Sequence, residues 1–194
     1  INVPCISDAG LGTHGGELLA PLAHLDTMPV EPEILKEIED ITHHKMRFAA
    51  MYFRLKELTI LVVSIYLWVS EGWSERNHVI MKQLQMLCKI LKLPFLAVGD
   101  WNMNPEYVAS ESSWIEDLDA CIFKPNVPST VITAASSVFD WVLMSKDIKG
   151  IFYRLEVTYS GTWAPHLGLF IWLQKRPMAI KGQVLSQPRS LPIE

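Results

Sequence analysis

Apolar and polar positions divide the chain into recognisable elements. Ile34, Leu35, Ile38 and Ile41 recur at helical spacing behind Pro32, a favourable first helical residue, and predict a helix that frays near His43 and His44. Arg47 to Leu55 and Leu58 to Leu67 are strand-like runs separated by the polar pair Lys56 and Glu57, the pattern of a hairpin. Ser74 is a good N-cap for a second helix, whose stripe of Ile80, Leu84, Leu87 and Leu91 leaves Lys82, Lys89 and Lys92 to one side. Pro94 stops that helix, and Phe95 to Asp100 reads as a buried strand. Residues 58–100 therefore form a strand–helix–strand unit, whose second strand ends at the rim of a sheet, where sites commonly lie. A short helix with Trp114, Ile115 and Leu118 follows, then strands over residues 138–145, 151–158 and 167–173. Glycines 10, 12, 15 and 16 mark turns near the start, and residues 17–22 fit a strand or a loop.

Composition narrows the class. The chain has 194 residues, 49% hydrophobic and 20% charged, which suits one domain with a sizeable core and excludes a disordered or low-complexity chain. Its net charge of −4 argues against a surface that grips nucleic acid all over, while leaving room for a local basic groove. The longest apolar run, Thr59 to Val69, is too short to cross a bilayer. Cys5, Cys88 and Cys121 are scattered, without metal-ligand spacing, which favours buried thiols in a reducing, intracellular compartment (cytoplasm or nucleus).

The sharpest chemical feature is Gly99-Asp100-Trp101-Asn102-Met103-Asn104-Pro105, directly after the strand FLAV. A carboxylate and an amide two residues apart beyond a strand end offer a base, or a water-orienting group, beside a neutral hydrogen-bond donor. By itself the heptapeptide is equally well explained as a turn. Three further segments bear on it in order: Ser64-Ile65-Tyr66-Leu67, Ser137-Val138-Phe139-Asp140-Trp141-Val142-Leu143, and Ala164-Pro165-His166-Leu167-Gly168-Leu169.

Together these segments resemble the GDFN, vYxP, SxxDYxLxS and SDHxPV signatures of the endonuclease/exonuclease/phosphatase superfamily, and Gly15-Gly16 is similar to its GG strand. The resemblance implies an α/β fold: a two-sheet β-sandwich flanked by helices (four-layer α/β/β/α, DNase-like), lacking its first strands. It divides the chain into an irregular start (1–14), a partial domain (15–173) and a basic, proline-containing tail (174–194). It also implies roles. Asp100 would orient or deprotonate the attacking water, while Asn102 and the Tyr66 hydroxyl would contact the scissile phosphate. His166 would face the phosphoryl oxygens, with Asp140 holding its imidazole. The implied reaction is Mg²⁺-assisted hydrolysis of a phosphate ester, with nucleic acid or a smaller phosphorylated molecule as substrate.

Two departures belong to the same comparison. The family's metal-binding Glu has no counterpart in this chain, and Pro165 stands where the family has an Asp before its final His. The expectation is a divergent, nuclease-like phosphodiesterase; the alternatives are a small-molecule phosphatase and an inert remnant serving as an interaction module or retroelement-derived fragment. Trp101, Trp73 and Trp163 fall in loops near the expected cleft and are candidates for substrate contact, Trp101 first among them, whereas Trp141 and Trp172 are expected in the core. His43 and His44, adjacent on a helix end, read as surface residues rather than metal ligands.

Overall fold

The computed structural model describes residues 19–110, 113–132, 135–160 and 166–174, preceded by four short strands. In chain order these are β1 (Asn2–Val3), β2 (Ile6–Asp8), β3 (Gly12–His14) and β4 (Glu17–Leu18), pairing β1 with β4 and β2 with β3, both antiparallel. The Gly15-Gly16 match, Trp163, Pro165 and the tail after Gln174 lie outside the described residues.

The main elements that follow are β5 (Thr27–Pro29), α1 (Pro32–Thr42), β6 (Phe48–Leu55), β7 (Leu58–Tyr66), α2 (Glu75–Leu91), β8 (Phe95–Asp100), α3 (Pro105–Ser110), α4 (Ser113–Asp117), β9 (Ala120–Phe123), β10 (Thr130–Ile132), β11 (Ala135–Ser137), β12 (Asp140–Ser145), β13 (Phe152–Thr158) and β14 (Gly168–Leu173). A 3₁₀ turn at Lys146–Ile151 leads into β13. The predicted helices form where their caps lie: Pro32 opens α1, His43 closes it with a left-handed φ of 58°, and the Ser74 hydroxyl accepts the Asn77 N–H at α2. Elements too short or too polar for a periodic signal, among them β5, α3, β9 and the β10–β11 pair, were not expected from the pattern.

A mixed six-stranded sheet runs in the order β5-β6-β7-β8-β12-β9, with β7 and β8 parallel across the α2 connection and the other neighbours antiparallel. One face packs on the helices through Phe48, Leu61, Val63, Ile65, Ala97, Leu143, Ile38, Ile80, Leu84 and Leu87. The other packs on the antiparallel pair β13–β14 through Ile60, Leu96, Val142 and Met144 against Leu155, Ile171 and Leu173. The chain is therefore an α/β protein with two facing sheets. No helix among the described residues covers the outer face of β13–β14, where Tyr153, Phe170 and Trp172 are exposed. Trp172 thus stands outside the core expected for it. Strand alternation turns it outward, where its indole N–H donates to Glu156 at 3.0 Å and Arg154 lies 4.6 Å from the ring centre. Among the described residues no helix is long and apolar enough to cross a membrane.

Alternation also decides what reaches the gap between the sheets. Ile60 and Val62 of β7, Leu96 and Val98 of β8, and Val142 and Met144 of β12 all face β13–β14. Counting by twos, Tyr66, Asp100 and Asp140 continue those rows at one end of the sheet. The register places them on a single rung, with Tyr66 opposite Asp100 and Asp100 opposite Asp140.

Gly99 makes that rung possible. A Cβ built there would lie 1.9 Å from the Ile65 carbonyl oxygen, a backbone atom that cannot swing aside. Gly99→Ala must therefore push β8 away from β7. We expect a loss of more than ~3 kcal/mol, within the range of severe backbone and packing lesions, read as a lowered urea midpoint.

Candidate active site

Three elements bring the ionisable groups together. Asp100 ends β8, Asp140 begins β12, and His166 precedes β14 in the second sheet. His166 Nδ1 lies 3.1 Å from Asp140 Oδ2, and its Nε2 lies 3.5 Å from Asp100 Oδ2. The ligand atoms of all three lie within 4.8 Å of one another. One imidazole thus sits between two carboxylates that the register forces side by side.

The loop after β8 holds the first carboxylate. Asn102 takes a left-handed φ of 48°, and its backbone N–H donates to Asp100 Oδ1 at 3.0 Å, closing an Asx turn. Its side-chain amide donates to the Leu67 carbonyl at 2.9 Å and ties the turn to the end of β7. Trp101 takes no part in the cleft. It is 0% exposed, stacked on Trp141 with ring centres 4.0 Å apart, and its indole N–H donates to the Trp141 carbonyl. The substrate contact expected of it is corrected: the Asx turn leaves Asp100 facing His166 and drives the next side chain into the core. Trp73, the other described loop candidate, stacks on His78 and meets Trp114 edge-on against the core.

Residues that the sequence did not single out organise the second carboxylate. The buried Thr130 hydroxyl lies 2.9 Å from Asp140 Oδ2, as its donor, and 3.4 Å from His166 Nδ1. Ser129 Oγ accepts the Asp140 backbone N–H at 2.9 Å, and its carbonyl accepts the Leu167 N–H at 2.8 Å. Ser129-Thr130 therefore stitches β12 to the segment carrying His166. A polar pair in an irregular stretch carries no periodic signal, so only the pairing of Thr130 with His166 exposes its role.

The electrostatics follow from crowding and burial. Burial raises the Asp100 pKa to about 6, assisted by the Asp140 charge and opposed by His166 and the Asn102 hydrogen bonds. The His166 pKa is raised chiefly by its hydrogen bond to Asp140, with desolvation opposing and both carboxylates assisting. Near neutral pH the site holds an ionised Asp100 beside an imidazole biased toward its cation.

No protein-family profile matches the chain, and no curated protein sequence matches it. Solved structures do. The endonuclease domain of TRAS1, a telomere-specific non-LTR retrotransposon, is similar with a TM-score of 0.68 at 13% identity, covering 90% of this chain and 78% of that domain. The AP endonuclease LMAP from Leishmania major is similar at 0.53 and 11% identity, covering 66% of this chain and 54% of that one. Cytolethal distending toxin from Actinobacillus actinomycetemcomitans is similar at 0.51 and 11% identity, covering 77% and 59%. The chain spans about three quarters of the TRAS1 domain and under three fifths of the other two. At these identities the likeness shows the fold alone, which is DNase-like.

Both raised pKa values mean that the folded state holds protons more tightly than the unfolded chain, so stability falls as pH rises. The Asp100 contribution is lost between its ordinary 3.8 and about 6, and at ~1.4 kcal/mol per unit it is at most ~3 kcal/mol. The His166 contribution is present below 6.5 and is lost above it, as pH passes through the raised value. The melting temperature should therefore fall steadily from pH 4 to pH 8. Asp100→Asn should flatten the acidic half of that curve. Thr130→Val, which strips a hydrogen bond from a buried carboxylate, should cost about 1.5–3 kcal/mol and displace the His166 pKa measured by NMR.

Proposed function

We propose that this chain is a phosphodiester hydrolase of nuclease type. The observation that carries the reading is the convergence of Asp100, Asp140 and His166, from both sheets, on one rim of a DNase-like fold. Asp100, ionised at neutral pH and close to its pKa, takes a proton from the attacking water as the water oxygen bonds to phosphorus. His166, biased toward its cation and oriented by Asp140, stabilises the negative charge that grows on the phosphoryl oxygens before the ester oxygen departs. Asn102 has one amide hydrogen committed to Leu67 and a second to offer the phosphate. Tyr66, the register partner of Asp100, would contact the same phosphate through its hydroxyl.

A magnesium ion fits this donor set in the sparse manner that the ion tolerates, with one or two carboxylates completed by water and phosphate oxygens. Asp140, through the carboxylate oxygen that faces neither Thr130 nor His166, would hold it, and the ion would neutralise phosphoryl charge. The imidazole nitrogens face carboxylates and are better suited to hydrogen bonding than to ligation. An inert remnant is the second reading; it is favoured by Pro165, which replaces the acidic residue expected next to His166 and has no ligating group.

Nicking of supercoiled plasmid in Mg²⁺ tests the proposal, with Asp100→Ala and His166→Ala in parallel. Each variant should lose at least ~100-fold, the usual share of an acid–base group. Equal rates in all three preparations, or none in any, would favour the remnant. Hydrolysis of p-nitrophenyl phosphate without plasmid nicking would mark a small-molecule phosphatase instead.

A further inference from the structure

The rung that carries the site does not stop at Tyr66. Phe48 pairs with Ile65 across β6 and β7, and the Tyr66 N–H donates to the Arg47 carbonyl at 3.0 Å, which makes Arg47 the cross-strand neighbour of Tyr66. Its Nε donates back to the Tyr66 carbonyl at 3.1 Å, and its guanidinium carbon lies 4.6 Å from the Tyr66 ring centre. The same guanidinium lies 3.7 Å from the Trp68 ring, and that of Arg76 lies 3.5 Å from it. A continuous cation–aromatic series thus runs from Tyr66, the register partner of Asp100, through Arg47 and Trp68 to Arg76.

The series ends in a cavity of about 210 Å³, lined by His44, Lys45, Arg47, Trp68 and Arg76 with two aliphatic residues of α2. On a chain of net charge −4 this gathers three permanent cations around one hollow, the terminal nitrogens of Arg47 being buried. Its walls are built structure. Asn77, 0% exposed, holds the loop carrying Trp68 by accepting the Trp68 N–H and donating to the Trp68 and Gly72 carbonyls. Gln83, equally buried, ties down the other side through Thr42 and the His44 carbonyl. Lys45 and Arg76 carry exposed ion pairs to Glu39 and Glu71. Such pairs are worth about 0–1 kcal/mol, so a phosphate can replace the carboxylate at small cost.

We propose that this hollow is a second phosphate subsite, which binds the backbone of a nucleic-acid strand a few nucleotides from the phosphate held at Asp100. Arg47 stands two strands from Asp100, ~10 Å at ~4.8 Å per strand. A duplex strand places one phosphate every ~3.4 Å of axis, so the two positions are spanned by up to three nucleotides. The proposal rests on the hydrolase reading for its scissile site, and it makes the substrate a polymer rather than a lone phosphate ester.

The test measures binding without turnover, using a fluorescein-labelled single-stranded 12-mer in EDTA over a range of KCl concentrations. Lys45→Gln with Arg76→Gln should weaken binding about tenfold at low salt and reduce the slope of log K against log salt by ~1.4, at ~0.7 per lost contact. Lys45→Arg with Arg76→Lys should restore both. Should the double variant fail to melt cooperatively, Lys45→Gln alone, at an 81% exposed side chain, should still remove ~0.7 of slope. An unchanged slope in a folded variant overturns the subsite. So does wild-type protein that fails to bind the oligonucleotide, or that releases it to polyglutamate as readily as to unlabelled DNA. Wild-type protein that binds with the expected slope but nicks no plasmid keeps the subsite and defeats the hydrolase reading.

Discussion

Everything at the site depends on two carboxylates held opposite each other on neighbouring strands. Antiparallel pairing of β8 with β12 puts Asp100 across from Asp140, and like charges at that spacing repel. The fold meets the repulsion in three ways: an imidazole between them, a threonine hydroxyl and a backbone N–H on the two carboxylates, and a proton affinity at Asp100 raised to about 6. A buried carboxylate whose ionisation is costly, as at Asp100, is poorly suited to stabilising a domain but well suited to exchanging protons near neutral pH.

The surrounding architecture serves to keep that rung in place. Gly99 lets β8 approach β7 at the point where a side chain would strike the Ile65 carbonyl. The Trp101–Trp141 stack, with each indole N–H bonded to a carbonyl of the same region, locks the strand ends beneath the site. Ser129 and Thr130 carry the constraint toward the second sheet, so His166, two residues ahead of β14, is held by a β-bridge to Thr130. Rigid elements on both sides of the gap are what a preorganised charge site requires.

Much of this was legible in the chain. The β7–α2–β8 unit was written in two apolar runs, a capped amphipathic stripe and a stop at Pro94, signals that are local and strong. The motif around Asp100, Asp140 and His166 named the residues that the fold brings together. The legible part failed where one residue type serves two environments. Trp101 and Trp172 were assigned from their surroundings in sequence, and each lies on the side opposite to expectation, since a turn or a strand face decides the direction of a side chain and composition does not.

The sequence by itself determined the elements with strong periodicity, the caps that bound them and the identities of the ionisable residues, because these depend on neighbours a few positions away. Tertiary structure decided which of those residues share a rung, that Thr130 touches Asp140, and that Arg47, Trp68 and Arg76 form one series beside Tyr66. Those relations depend on strand register and on the packing of one sheet against another. Pairings between segments far apart in the chain leave no trace in the spacing of either one.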